Sequence, residues 1–147
     1  MRIKLAWILG LLCAANGLLM LLAPAAWYRM IPGVAGTGPL NQHFARDIGG
    51  AYLAAGGGLV WLAIDIRARA AAMTAAAFLA LHALVHAADA LAGRESLGHV
   101  LADLPTIYLS ALVAIWIAWP ASDLETEDKG DVQMAVTAAD RRVRKGV

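Results

Sequence analysis

Imidazole and carboxylate side chains recur at helical spacing in three separate stretches of this sequence. Residues four positions apart lie on the same face of a helix. The pairs with this spacing are His43 with Asp47, His82 with His86, and His99 with Asp103. A further carboxylate, Asp89, follows His86 by three positions and stays near the same face. All four histidines of the chain are therefore in these stretches.

Metal binding is the first chemistry that these residue types indicate. Neutral imidazole and carboxylate groups are ligands of zinc, iron, copper and nickel, and the facing helices of a bundle can supply them together. An aspartate that is not itself a ligand can orient a ligating imidazole through a hydrogen bond. The candidate metal-site residues are His43, His82, His86, His99, Asp47, Asp89 and Asp103.

Two other ligands fit parts of the same pattern. Haem needs two histidines from different helices at matched depth, and His43 with His86 is the candidate pair, although the sequence carries no further haem signature. A quinone or a small lipid would accept hydrogen bonds from histidine or aspartate. In that case Tyr52 and Tyr108 would line the cavity.

A purely structural role explains the same residues without a ligand. An unpaired arginine within a membrane costs about 2.5–3.5 kcal/mol on insertion scales. Arg46 therefore needs a partner. Asp47, Asp89 and Asp103 are the possible ones, and the structural hypothesis pairs Arg46 with Asp47. An Arg–Asp–His network of this kind would clamp helices together, and the protein would then be a non-catalytic assembly or interaction subunit.

The composition indicates a membrane protein. Hydrophobic residues make up 61% of the 147 residues and the mean hydropathy is +0.64, against roughly 45–50% apolar residues in soluble domains. The net charge of +1 and the lack of a basic cluster interleaved with aromatic residues argue against nucleic-acid binding. The single cysteine, Cys13, excludes an internal disulfide and a cysteine-based metal cage.

Four apolar segments predict an all-α membrane protein, an antiparallel bundle of four transmembrane helices. The spans are at about 5–23, 43–64, 70–90 and 101–119, within a transmembrane domain of residues 1–120. The first span is long enough to cross a bilayer, which favours a retained helix over a cleaved signal peptide. Residues 121–147 are predicted to form a polar, flexible tail.

The positive charges near the span ends predict the orientation in the lipid bilayer. Arg2 and Lys4 precede the first span, and Arg67 and Arg69 occupy the tight second connection. Both termini should therefore be cytoplasmic, in a bacterial inner membrane, and the His/Asp/Arg cluster should lie at the periplasmic end. Small residues at every fourth position, Gly50, Ala54 and Gly58, predict close helix packing.

The segments "TGPLNQHFARDIGGAYLAAG" and "LHALVHAADAL" together resemble small bacterial four-span membrane proteins of the DoxX-like superfamily. The resemblance covers residues 1 to about 120 and implies a four-helix antiparallel bundle. Members named for thiosulfate–quinone oxidoreduction imply redox chemistry beside a quinone pool. The chain lacks a cysteine arrangement suited to sulfur chemistry. The expectation is a protein that binds a metal or a redox cofactor, as an accessory subunit of a membrane oxidoreductase.

Overall fold

The computed structural model describes residues 1–119 and, beyond them, Met134 and Thr137. The tail predicted over 121–147 therefore lies, apart from those two positions, outside the described residues. Within the described residues, every regular element is helical. The prediction of an all-α protein is confirmed for this part of the chain.

Six α-helices make up most of the described chain. They are α1 (Arg2–Leu22), α2 (Pro24–Met30), α3 (Gln42–Ile64), α4 (Arg69–Leu91), α5 (Leu97–Asp103) and α6 (Leu109–Ala118). Short 3₁₀ turns precede α3 and α4, and a π-helical segment, Leu104–Tyr108, joins α5 to α6. Four stretches are long and apolar enough to cross a membrane: Arg2–Leu22, Gln42–Ile64, Ile66–Leu91 and Leu97–Ala118. The predicted number of helices of spanning length is confirmed.

Side-chain caps set where α3 and α5 begin, two of the three helices that carry the candidate ligands. The Asn41 side chain accepts hydrogen bonds from the backbone N–H groups of His43 and Phe44, each at 3.1 Å. The Ser96 hydroxyl accepts one from the His99 N–H at 3.2 Å. Such caps satisfy N–H groups that have no partner inside the helix. The sequence predicts that the fourth span begins near residue 101. Because Ser96 caps α5, this apolar stretch begins earlier, at Leu97.

Glycines let α1 and α3 pack with their backbones in near contact. A Cβ atom added at Gly17 would lie 2.6 Å from the Gly49 carbonyl oxygen, and one added at Gly56 would lie 2.6 Å from the Gly10 carbonyl oxygen. Only glycine allows this approach at these positions. In lipid, where apolar surface gives no drive for helices to associate, close packing of this kind stabilises the pair.

The core of the bundle is built from alanine and leucine. Ala72, Ala75 and Ala76 of α4 and Leu59 of α3 are buried in it. Of the small-residue repeat predicted on α3, only Gly58 packs tightly, with a Cβ position 2.8 Å from the Ala71 carbonyl oxygen. Gly50 has open space, and Ala54 is exposed. Close helix packing is therefore confirmed, but of the three residues predicted to produce it only Gly58 does so.

Candidate metal centre

Four potential metal ligands converge at one end of the bundle. His86 comes from α4, Glu95 from the connection after α4, and His99 and Asp103 from α5. One ligand atom of each residue lies within 4.8 Å of the corresponding atom of every other. We call these four residues the His/Glu/Asp group. They are the residues in the described part of the chain that could hold a metal ion.

Helical spacing and a short turn bring the group together. His99 and Asp103 are four residues apart on α5, so they share a face. The chain leaves α4 through a turn in which Gly93 has a φ of +68°, a conformation that favours glycine. Glu95 follows this turn and lies directly before the cap of α5. The turn thus returns the Glu95 carboxylate to His86 on the preceding helix.

Asp103 lies between the two imidazoles of the group. Its Oδ2 atom is 2.9 Å from His86 Nδ1, a hydrogen-bonding distance, and 3.6 Å from His99 Nε2. His86 Nδ1 is also 3.6 Å from Glu95 Oε1. A carboxylate in this position can bind a metal ion itself, or it can fix the tautomer of the imidazole that binds one.

The two carboxylates of the group have no lysine or arginine partner among the described residues. The Glu95 and Asp103 side chains are each only 9% exposed. Glu95 Oε2 is buried and has no hydrogen-bond partner in that same part of the chain. Buried carboxylates are costly unless they are paired or coordinate a metal, so the group has the electrostatics of a cation site.

The π-helical segment follows directly after Asp103. Pro105 has no backbone N–H, so the regular helical hydrogen-bond pattern cannot continue through it. Backbone hydrogen bonding resumes where the Leu109 N–H donates to the Leu104 carbonyl. The Thr106 hydroxyl donates to the Ala102 carbonyl at 3.1 Å. Wide turns of this kind are frequent at functional sites.

The connection between α2 and α3 covers His99. Gly33 has a φ of +85°, and a Cβ atom added there would lie 2.5 Å from His99 Cε1. The Tyr28 hydroxyl donates to the Gly38 carbonyl at 2.7 Å, which ties this connection back to α2. A cavity of about 340 Å³ opens beside His99, lined by Pro32, Gly33, Gly36, Ser96, Gly98, His99 and Ala102.

His82 lies next to the group but outside it. Its ring centroid is 4.8 Å from that of His86, and it also contacts the rings of Tyr52, at 5.6 Å, and Phe78, at 6.1 Å. Tyr52 and Tyr108 both pack against the hydrophobic core. Neither tyrosine lines the cavity beside His99. The predicted pocket-lining role of Tyr52 and Tyr108 therefore finds no support at this cavity.

The remaining predicted ligands make separate pairs. His43 lies 3.5 Å from Asp47, and their side chains are 89% and 60% exposed. Asp89 pairs with Arg94 at 2.7 Å. His43 and Asp47 point away because each is two residues from buried Ala45, which places it on roughly the opposite side of α3. His43, in so exposed a pair, lacks the enclosed surroundings of a haem ligand.

The predicted ion pair between Arg46 and Asp47 is not formed. Arg46 Nε instead donates to the Leu21 carbonyl at 3.3 Å, while Asp47 contacts His43. Adjacent residues on a helix do not face each other, which explains the difference. The Arg–Asp–His network predicted as a structural clamp therefore does not include Arg46 in an ion pair within the described residues.

Glu95 was absent from the predicted ligands. Its position held a usable signal, because Glu95, His99 and Asp103 follow one another at intervals of four. The apolar pattern predicts a fourth span that begins only near residue 101, and on that prediction Glu95 lies in a loop and is not expected to be a ligand. The Ser96 cap brings the start of the helix next to Glu95.

Comparisons with models of protein families, with curated proteins and with solved structures find no match to this chain. The geometry of the His/Glu/Asp group is therefore the observation on which a functional assignment depends.

Proposed function

We propose that this protein is an integral membrane protein that binds one divalent transition-metal ion in the His/Glu/Asp group. The observation that carries the proposal is the convergence of four ligand atoms within 4.8 Å, contributed by two helices and the turn between them. Two imidazoles and two carboxylates, with no sulfur, are the donors that zinc and iron accept. Copper in its divalent state accepts them as well.

Charge balance favours a metal ion over a hydrogen-bonded network alone. Two buried carboxylates carry two negative charges, which one divalent ion neutralises. Protonation of both imidazoles would balance the charge too, but it would leave Glu95 Oε2 without a partner. Coordination of an ion through both oxygens of Glu95 would use that atom. A buried polar atom without a partner costs about 1–3 kcal/mol, so the metal-bound state accounts for more of the observed arrangement.

The proposal includes an antiparallel four-helix bundle in a bacterial inner membrane. Gly10 meets Gly56 and Val60, whereas Gly17 meets Gly49 and Leu53, so contacts run in opposite directions along α1 and α3. The basic residues of the N-terminus and of the α3–α4 connection support cytoplasmic termini. The metal centre would then lie at the periplasmic end.

The resemblance to DoxX-like proteins extends this proposal to a role beside a membrane oxidoreductase, near the quinone pool. The lack of sulfur ligands in the His/Glu/Asp group agrees with a metal site that is not built for sulfur chemistry. A plain assembly subunit is the competing role. An assembly subunit requires no metal, so measuring the metal content of the purified protein separates the two roles.

Metal analysis of purified protein tests the proposal. Detergent-purified wild type, loaded with Zn²⁺ and desalted, should retain about one ion per chain, and His86→Ala and His99→Ala should lose it. His43→Ala is the matched control, because His43 is a histidine outside the group and 89% exposed. Circular dichroism checks that each variant is still helical. Sub-stoichiometric metal in the wild type, or equal retention by His86→Ala and His43→Ala, would overturn the proposal.

Cysteine labelling tests the orientation separately. His43→Cys places a thiol in the first turn of α3, and Asp65→Cys places one directly after its last residue; the natural side chains there are 89% and 34% exposed. In intact cells a membrane-impermeant maleimide should label only His43→Cys, and permeabilised cells should show both. The natural Cys13 is 4% exposed and gives little background. Labelling of only Asp65→Cys in intact cells would reverse the orientation.

A further inference from the structure

We propose that the cavity beside His99 binds a small uncharged molecule that donates a nitrogen or oxygen atom to the metal ion. This inference rests on the proposed metal site and adds the class of ligand that reaches it. His99 belongs to both features, since its ring is part of the His/Glu/Asp group and also part of the cavity wall. His99 is the member of the group that lines the cavity, so the proposal places the bound molecule on the His99 side of the ion.

The walls of the cavity are made by two chain segments that leave little side-chain bulk. The connection after α2 contributes Gly33 and Gly36, and the start of α5 contributes Gly98. Of these three glycines, Gly33 lies against the His99 ring, Gly36 has open space around its Cβ position, and a Cβ atom at Gly98 would make one ordinary contact, with Ser96 Oγ at 3.9 Å. The resulting volume of about 340 Å³ falls at the lower end of the range of roughly 300–1,000 Å³ for small-molecule sites.

The charges favour a neutral ligand. Among the residues that the structure describes, no arginine, lysine, aspartate or glutamate lines the cavity. A divalent ion bound by two carboxylates and two neutral imidazoles has no net charge, so the filled site gives an anion no electrostatic advantage. Ser96 supplies a polar contact, because its oxygen accepts the His99 N–H and its own O–H remains free to donate to a ligand.

Ligand exchange at a cobalt-substituted site provides the test. Co²⁺ in place of the natural ion gives visible absorption bands that respond to its ligands. Imidazole, at a pH above its pKa, is the neutral probe, and thiocyanate is the anionic one. We expect imidazole to shift the bands of the wild type saturably, and thiocyanate to bind at least about tenfold more weakly.

A cavity-filling variant locates the ligand. Gly98→Leu adds a large side chain at the cavity wall, at a position where an added Cβ atom meets only Ser96 Oγ, at 3.9 Å. It should weaken imidazole binding at least about tenfold and leave the Co²⁺ stoichiometry unchanged. Gly57→Leu is the matched control, because Gly57 is exposed on α3, away from the cavity, with open space around its Cβ position.

The outcomes separate this inference from the metal site. If Gly98→Leu keeps both Co²⁺ and wild-type imidazole affinity, the cavity is not the ligand site, and metal binding stands. If thiocyanate binds more tightly than imidazole, the ligand class is wrong. If wild-type protein retains no Co²⁺ and no Zn²⁺, the proposed function fails, and this inference fails with it.

Discussion

His86 Nδ1 lies 2.9 Å from Asp103 Oδ2, and this contact joins the end of α4 to the junction between α5 and the π-helical segment. Asp103, which is 6% exposed, is the most deeply buried charged residue of the described chain. Its Oδ2 atom also faces His99 Nε2 at 3.6 Å. One carboxylate thus organises both imidazoles of the His/Glu/Asp group, and several consequences of this arrangement can be measured.

Asp103→Asn should lower metal affinity by at least about tenfold. The substitution keeps the size of the side chain but removes a negative charge and the carboxylate that orients the imidazole of His86. Loss of such a partner costs about 10–100-fold in metal affinity. Competition with a chromophoric chelator measures the change. Asp47→Asn, which alters an exposed aspartate outside the group, should bind metal like the wild type.

Glu95→Gln should have opposite effects on the metal-free and the metal-loaded protein. Without metal, one oxygen of the Glu95 side chain is buried and has no hydrogen-bond partner among the described residues, so replacing the carboxylate with an amide should raise the free energy of unfolding by about 1 kcal/mol. With metal, the variant loses a ligand and should gain less stability on loading than the wild type. Thermal unfolding in detergent, with and without Zn²⁺, measures both effects. A variant destabilised in both states would contradict the assigned role of Glu95.

Gly33→Ala should destabilise the protein and weaken metal binding together. The φ of +85° is unfavourable for alanine, and the new Cβ would lie 2.5 Å from His99 Cε1. Backbone strain of this kind costs about 1–3 kcal/mol, and the collision moves a ligand. Thermal unfolding and chelator competition measure the two effects. Gly36→Ala tests the same connection where the added Cβ meets nothing within 4 Å, and it should be nearly silent.

Gly17→Ala should loosen the packing of α1 on α3. The added Cβ would lie 2.6 Å from the Gly49 carbonyl oxygen and 2.7 Å from the Leu53 nitrogen. Because both are backbone atoms, the helices must separate, at a cost of about 1–3 kcal/mol. Gly57→Ala, an equally conservative change at an open position of α3, should be neutral or stabilising. Equal unfolding temperatures for the two variants would contradict the close approach.

Asp65 should make a pH-dependent contribution at the turn between α3 and α4. Hydrogen bonds from the Arg67 side chain and backbone lower the pKa of the Asp65 carboxyl below its ordinary value. A group with a lowered folded-state pKa stabilises the protein above its unfolded-state pKa, and this stability is lost as the pH falls through the folded-state pKa. Asp65→Asn should therefore be less stable than the wild type at neutral pH, with the difference shrinking in acid. Unfolding curves across that pH range check the sign.

Much of the architecture could be read from the sequence because the signals are local. Four long apolar stretches, and the spacing of four residues between His99 and Asp103, depend only on the composition and period of a helix. Caps are local as well, and the Ser96 cap starts α5 at Leu97, which brings the helix next to Glu95. The helical period of α3 also separates its two faces: Ala45 and Gly49 lie on the buried face, and His43 lies on the other.

By itself, the sequence determined that this chain has four helices of spanning length and histidines paired with aspartates at helical spacing. Only the tertiary structure decided which pairs meet. His86 joins His99 and Asp103 because the turn at Gly93 brings α5 back onto α4, whereas His43 stays outside because α3 packs through its glycine face. Spacing places side chains on one face of one helix, but contacts between helices depend on turns and packing that no single segment encodes.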